Sequence, residues 1–201
     1  MIRLLTPPFD RTPNDPGYIK GYLPGIRENG GQYTHGVLWL VRAIAEMGRG
    51  TQAVELLKML SPVSHSNSKQ QAQIYQTEPY VVAADVYGEP PHVGRGGWTW
   101  YTGSAGWMFR VAVESIFGVS TECGHTLIVN PSISSNWLQC RMTYRLPGDS
   151  TCYDILIENP KGKEHGVSAA MLDGQPVLLA EGVARIPLLN DGASHRITIR
   201  L

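Results

Sequence analysis

An excess of charge of one sign is missing from this chain. Its 17 Lys and Arg residues are matched by 17 Asp and Glu, for a formal net charge of zero at pH 7. A balanced surface offers no electrostatic footprint for nucleic acid or for an anionic membrane. Long apolar runs are missing as well, and no stretch approaches the roughly 20 apolar residues of a membrane span. The first residues, M-I-R-L-L-T-P-P-F-D, lack the apolar segment of a secretory leader and are broken by Pro7-Pro8. Cysteine is scarce: Cys123, Cys140 and Cys152 make an odd count without metal-ligand spacing, which fits reduced thiols in a cytoplasmic setting. His65, His92, His125, His165 and His195 are scattered without ligand spacing too, so no metal is expected. There is no G-x-S-x-G, no P-loop and no dinucleotide fingerprint. Internal repeats and low-complexity segments are also absent.

What is present in quantity is glycine and proline, 22 and 14 residues of 201, which favours loops and short strands. The length suits one or two domains with enough chain to bury a core. Residues 1–20 read as an extended lead-in rich in Pro, Asp and Asn. The spacing of Val37, Leu40, Val41 and Ile44 predicts a helix over 36–47 that stops at Gly48. Ala53, Val54, Leu57 and Leu60 predict a second over 51–60, ended by Ser61-Pro62. Gln70–Gln76 is too polar to assign. Pro79 in Glu78-Pro79-Tyr80 suits a first helical position and predicts a helix to about Tyr87. A loop rich in Gly and Trp follows, and Gly103–Phe117 reads as the last helix.

Near Val119 the pattern changes to short alternating runs: Leu138–Tyr144, Cys152–Glu158, Gly166–Leu172, Val183–Pro187 and Arg196–Leu201. Turn signals such as Pro147-Gly148-Asp149 and Asp173-Gly174 separate them, which predicts an antiparallel β-sandwich. The expected organisation is therefore a helical part over 1–118 and a β domain over 119–201.

Two stretches carry chemistry. Gly21–Trp39, G-Y-L-P-G-I-R-E-N-G-G-Q-Y-T-H-G-V-L-W, gathers Arg27, Glu28 and His35 around Gly30-Gly31 just before a helix. Paired glycines permit positive φ and close approach of backbone to a ligand, and the polar neighbours suit a sugar or an anion. A helix-entry loop whose polar groups merely cap the helix fits the same residues. Gly96–Trp107, G-G-W-T-W-Y-T-G-S-A-G-W, runs from a loop into a helix at Thr102-Gly103. Unpaired N–H groups and the positive end of the macrodipole make that start a seat for an anion, although an N-cap is the commoner fate of such a Thr. Arg27 and Glu28 can equally pair with each other. Trp107, inside a helix, reads as core. Trp98 and Trp100 are better placed to wall a carbohydrate cleft. Tyr80 and Asp85, in E-P-Y-V-V-A-A-D, are expected only to line it.

Together, E-N-G-G-x-x-x-H and W-x-T-G-x-A-x-W resemble the inverting phosphorylases of glycoside hydrolase family 94. The likeness extends over nearly the whole chain and is greatest to the phosphorylase region of cyclic β-1,2-glucan synthases. It implies that the helical part forms the closing helices of an (α/α)6 barrel, followed by the sandwich. It further implies phosphate contacts for His35, Thr102 and Gly103 and places Glu28 near the sugar; Arg27, Trp98 and Trp100 are expected to contact the sugar beside it. Inorganic phosphate would be a co-substrate, with no cofactor, and a β-linked gluco-oligosaccharide the other substrate. The acid that protonates the leaving oxygen in that family is an Asp in a Gly-Asp-Trp-Asn-Asp type motif, and this sequence has none. The expectation is thus a C-terminal fragment of a phosphorylase, inactive alone, that pairs with a missing N-terminal portion or a second copy. A hydrolase on the same barrel and a non-catalytic carbohydrate-binding product are the alternatives.

Overall fold

The computed structural model describes residues 1–100 and 102–201, with Thr102 described through its backbone alone. The chain is mixed α and β, with several antiparallel sheets, and divides into two compact units. Met1–Val41 and Glu55–Arg110 form the first, Arg42–Val54 and Val111–Leu201 the second. No closed barrel is formed among the described residues, and none of their helices is long and apolar enough to cross a membrane.

In chain order the elements begin with a 3-10 helix (Gly17–Gly21) at the end of the expected extended lead-in; strand β1 (Gln32–Tyr33) then runs straight into helix α1 (Thr34–Glu46). The helix starts two residues before the expected Gly36 because the Thr34 N–H is tied to the Ala84 carbonyl at 2.9 Å. Its buried stripe includes Val37, Leu38 and Val41, while Leu40, expected inside, is exposed. Helix α2 (Gly50–Leu60) follows, then a short α3 (Pro62–His65) and α4 (Lys69–Tyr75). The segment left unassigned is therefore helical. Ser68 caps it by accepting from the Gln71 N–H, and Gln76 closes it in the left-handed conformation.

The helix expected from Pro79 does not form. Asp85–Val86 is instead β2, the central strand of a small antiparallel sheet between β1 and β3 (Gly96–Gly97). Ala83, Ala84, Asp85 and Val86 are all buried, a continuous run rather than a helical stripe. Backbone pairing on both sides, Gln32 with Val86 and Asp85 with Gly97, outweighs the local signal of a proline at a helix start. Tyr75, Ala83 and Val86 make a buried cluster that Met1 packs against. Helix α5 (Thr102–Arg110) follows; the expected continuation to Phe117 is a π-helical turn over Val111–Ile116.

The second unit contains strands β4 (Val119–Glu122), β5 (Thr126–Val129), β6 (Gln139–Arg145), β7 (Cys152–Glu158), β8 (Ala169–Leu172), β9 (Gln175–Pro176), β10 (Leu179–Ala180), β11 (Val183–Pro187) and β12 (Ser194–Arg200). They form two sheets, in the orders β10-β11-β5-β4 and β6-β7-β12-β8-β9. Every pairing is antiparallel except β7 with β12, which is parallel, a departure from the expected purely antiparallel arrangement. Alternation fixes the faces: Tyr153, Ile155 and Ile157 of β7 and His195, Ile197 and Ile199 of β12 point to the buried side. Leu127, Val129, Ala184 and Ile186 do the same in the other sheet.

Candidate functional site

The polar loop before α1 is held by its asparagine and its glycines. Asn29 is fully buried, donates through Nδ2 to the carbonyls of Phe9 and Tyr22, and accepts from the Phe9 N–H at 2.6 Å. Gly30 takes φ +83°, where its N–H reaches the Leu4 carbonyl. A β-carbon on Gly31 would stand 2.6 Å from the Gly25 carbonyl oxygen, and one on Gly88 would stand 2.1 Å from that of Gly30. Backbone thus packs on backbone, and a side chain at either position is excluded. The E-N-G-G stretch is rigid for this reason, and it fixes what its neighbours present.

What it presents first is Arg27. This residue has φ +49°, and Trp98 and Trp100 also have positive φ, at +44° and +64°. Such conformations cost non-glycine residues about 1–3 kcal/mol each and collect at ligand-binding sites. The Arg27 guanidinium lies 5.2, 4.9 and 5.0 Å from the ring centres of Tyr22, Tyr33 and Trp98. Glu28 is 3.7 Å from its Nε, and both side chains keep only 16% of their surface exposed. Burial opposes the Arg27 charge, but the Tyr33 hydroxyl, Tyr22 and the Glu28 carboxylate outweigh it and raise its pKa. Asp85, on β2, is buried beside this group. Desolvation raises its pKa, partly offset by the Arg27 backbone and charge, while the nearby Glu28 raises it further. Arg27 Nε, Glu28 Oε2 and Asp85 Oδ1 are buried without a hydrogen-bond partner among the described residues. Three such atoms in one cluster are costly unless a ligand completes them.

Tyr33 links this cluster to a second one, since its ring centre is 6.1 Å from that of His35. His35 is the second residue of α1 and packs edge-on against Trp39 at 5.1 Å and tilted against Trp107 at 5.9 Å. On the other side, its Nδ1 lies 3.5 Å from where a β-carbon on Gly103 would stand. Its Nε2 is buried without a partner among the described residues. The imidazole therefore lies close to the first turn of α5, whose N–H groups have no intrahelical partner.

The catalytic-domain model of the glycosyl hydrolase 94 superfamily matches residues 1–118. The chain belongs to that family. It is 54% identical over 163 residues, 81% of its length, to the cyclic beta-(1,2)-glucan synthase NdvB of Rhizobium meliloti (strain 1021), of which it covers 6%. It is also 30% identical over 197 residues, 97% of its length, to the solabiose phosphorylase of Paenibacillus borealis, covering 24% of that protein. Identity to the N,N'-diacetylchitobiose phosphorylase of Vibrio furnissii is 31% over 199 residues, 98% of this chain and 23% of that one. The chain thus spans about a quarter or less of the length of these relatives.

Within this family member, the residues singled out from sequence fall into two groups and an outlier. Arg27, Glu28 and Trp98 come together, as do His35 and Gly103. The Thr102 side chain lies outside the described residues. Trp100 is the outlier: 70% exposed, it donates through Nε1 to Glu78 at 3.1 Å and meets Tyr80 edge-on. Trp107, expected in the core, is half-buried against His35. Tyr22 and Tyr33 were not foreseen, nor was the burial of Asp85 against Arg27 and Glu28. Tyr33 ends β1 and His35 lies in α1, so no single periodicity pairs the two in the sequence.

Proposed function

We propose that this chain supplies the phosphate-binding half, and part of the glycosyl-binding half, of an inverting glycoside phosphorylase. The observation that carries the reading is the meeting of His35 with Gly103 at the first turn of α5, with Nε2 of His35 left unpartnered. Phosphate would sit between the imidazole and the helix start, accepting from the Thr102 hydroxyl and the first-turn N–H groups. Arg27, Glu28 and Trp98 would hold a glucosyl residue: the carboxylate accepts from sugar hydroxyls, the ring covers an apolar sugar face. Trp100, turned towards Glu78 and Tyr80, would extend this wall.

In such a reaction phosphate attacks the anomeric carbon from the face opposite the leaving oxygen, which a carboxylic acid protonates. Phosphate is already charged, so no second carboxylate is needed as base. That acid would come from a part of the protein outside these residues, and the helices of 1–118 would complete an (α/α)6 barrel there, with the two sheets of the second unit reading as its sandwich. The substrate would be a β-linked gluco-oligosaccharide, the product a sugar 1-phosphate, and no cofactor would take part. The support for a phosphorylase over a hydrolase is the approach of His35 to the first turn of α5 together with the named relatives. The test is phosphate dependence: glucose 1-phosphate released by the complete enzyme should rise saturably with phosphate. Release of free glucose independent of phosphate would replace this reading with hydrolysis.

A further inference from the structure

The second unit has a cavity of about 350 Å³ that shares no residue with the Arg27 and His35 clusters. Its wall comes from the last turn of α1, the π-helical turn, β4, β5, the segment 130–132 and His165. Two left-handed glycines shape it, Gly48 at φ +75° and Gly118 at φ +70°. A β-carbon on Gly48 would come within 2.4 Å of the His165 ring, so the imidazole is seated directly on backbone. A β-carbon on Gly118 would stand 2.0 Å from the Asn130 carbonyl oxygen. Both contacts fix the wall rather than leave it to loop motion.

The wall is mostly polar, with charges of both signs, beside the apolar Ala45, Met47, Ile128 and Pro131. Arg42 and Glu46 form an ion pair at 2.6 Å, and Glu114, Asn130, Ser132 and His165 add further polar groups. Ser132 is 4% exposed. Its N–H is bonded to the Ile116 carbonyl, yet its Oγ has no hydrogen-bond partner among the described residues. A hydroxyl buried in a cavity wall without a partner is a group kept for something that enters. Two carboxylates against one guanidinium disfavour an anion. No group of three metal-ligating side chains occurs among the described residues, which gives no support to a cation. A polar wall disfavours an apolar ligand. What matches acceptors (Glu46, Glu114), donors (Arg42) and groups that do both (Ser132, Asn130) is a neutral polyhydroxyl compound. The volume lies at the lower end of the roughly 300–1,000 Å³ of small-ligand sites, room for a mono- or disaccharide.

We infer that this cavity is a second, non-catalytic saccharide site that holds a neutral hexopyranose unit, with the buried Ser132 and the exposed His165 among its contacts. Such a site would keep an oligosaccharide chain on the protein between turnovers. The ligand class follows from the lining and not from the phosphorylase reading, so the two can fail separately. The experiment is a titration of the ¹⁵N-labelled chain with a β-linked glucobiose, followed by amide shifts. Saturable shifts of Gly48, Gly118 and Ser132 are expected, unaffected by inorganic phosphate alone. Ser132→Ala should weaken binding about 2- to 12-fold, the range for one neutral hydrogen bond. Absence of saturable shifts at these amides overturns the proposal, as do shifts produced by phosphate alone. An unchanged affinity in Ser132→Ala does so too. If that variant is unstable, the wild-type shifts decide by themselves.

Discussion

A β-carbon built on Gly103 would make ordinary contact with Nδ1 of His35 at 3.5 Å, so the imidazole near one helix start lies close to the backbone of another. The two residues are far apart in sequence. His35 packs on Trp39 and Trp107, and its Nε2 has no hydrogen-bond partner among the described residues. The first two predictions follow from the proposal that an anion binds beside this pair.

Replacing His35 by Ala in the complete enzyme should weaken phosphate binding about 10- to 150-fold, the range for a hydrogen bond of 1.5–3 kcal/mol to a charged group. Thr102→Val should act in the same direction. The measurement is the apparent affinity for phosphate at saturating sugar. Altered sugar affinity with phosphate dependence intact would put the anion elsewhere.

Gly103→Ala separates binding from folding. The added methyl makes ordinary contact with His35, and alanine is a better helix former than glycine by about 0.8–1.0 kcal/mol. The melting temperature should hold or rise slightly while phosphate affinity falls by an order of magnitude or so. A drop in both would mean that the glycine is needed for packing instead.

Gly88→Ala should do the opposite. Its β-carbon would meet the Gly30 carbonyl oxygen at 2.1 Å and force the E-N-G-G loop to move. Overpacking of this kind costs about 1–3 kcal/mol. Chemical denaturation should show the loss, and sugar affinity should fall with it because Arg27 rides on the same loop.

Arg27→Lys keeps the charge and loses the flat guanidinium that three rings surround. Each such contact contributes about 0.5–1 kcal/mol at partly exposed sites. We expect a drop in sugar affinity of about tenfold or more, with a changed Trp98 emission spectrum and little change in phosphate affinity. Unaltered sugar binding would reduce the aromatic cage to a structural feature.

His195 gives the second unit a pH dependence of stated sign. It is 8% exposed, stacks on Tyr153, and bridges Asp173 through Nδ1 at 2.8 Å and Asp191 through Nε2 at 3.1 Å. The hydrogen bond it donates to Asp173 is the main cause of its raised pKa, offset by desolvation and reinforced by Asp191. A raised histidine contributes stability below its unfolded pKa of about 6.5 and loses it as pH climbs through the folded value. Asp173 and Asp191 are lowered, first by backbone N–H groups of Arg196 and Ala193 and then by His195. Their contribution is present above the ordinary carboxylate pKa and disappears in acid. Thermal unfolding should therefore be most resistant between about pH 4 and pH 6.5. His195→Gln should remove the decline on the alkaline side, and a decline that persists in this variant would assign it to another group.

The sequence by itself determined the elements whose hydrophobic pattern is local. Cys152–Glu158 and Val183–Pro187 are strands over the ranges their alternation predicts, and the spacing of Val37, Val41 and Ile44 marks the buried face of α1. The two motifs that carry the family likeness were legible for the same reason, because each is a short run of adjacent residues. Tertiary structure alone decided whatever depends on a partner distant in the chain. Asp85–Val86 became a strand because Gln32–Tyr33 and Gly96–Gly97 take up its backbone, and no local rule for Pro79 contains that information. β12 pairs in parallel with β7, a partner that only the fold brings beside it. Leu38 rather than Leu40 is buried because neighbouring elements select the covered face. Likewise, Arg27 and Trp98 were visible as residue types, but the enclosure of one guanidinium by Tyr22, Tyr33 and Trp98 arises from loops that only folding brings within 5.2 Å.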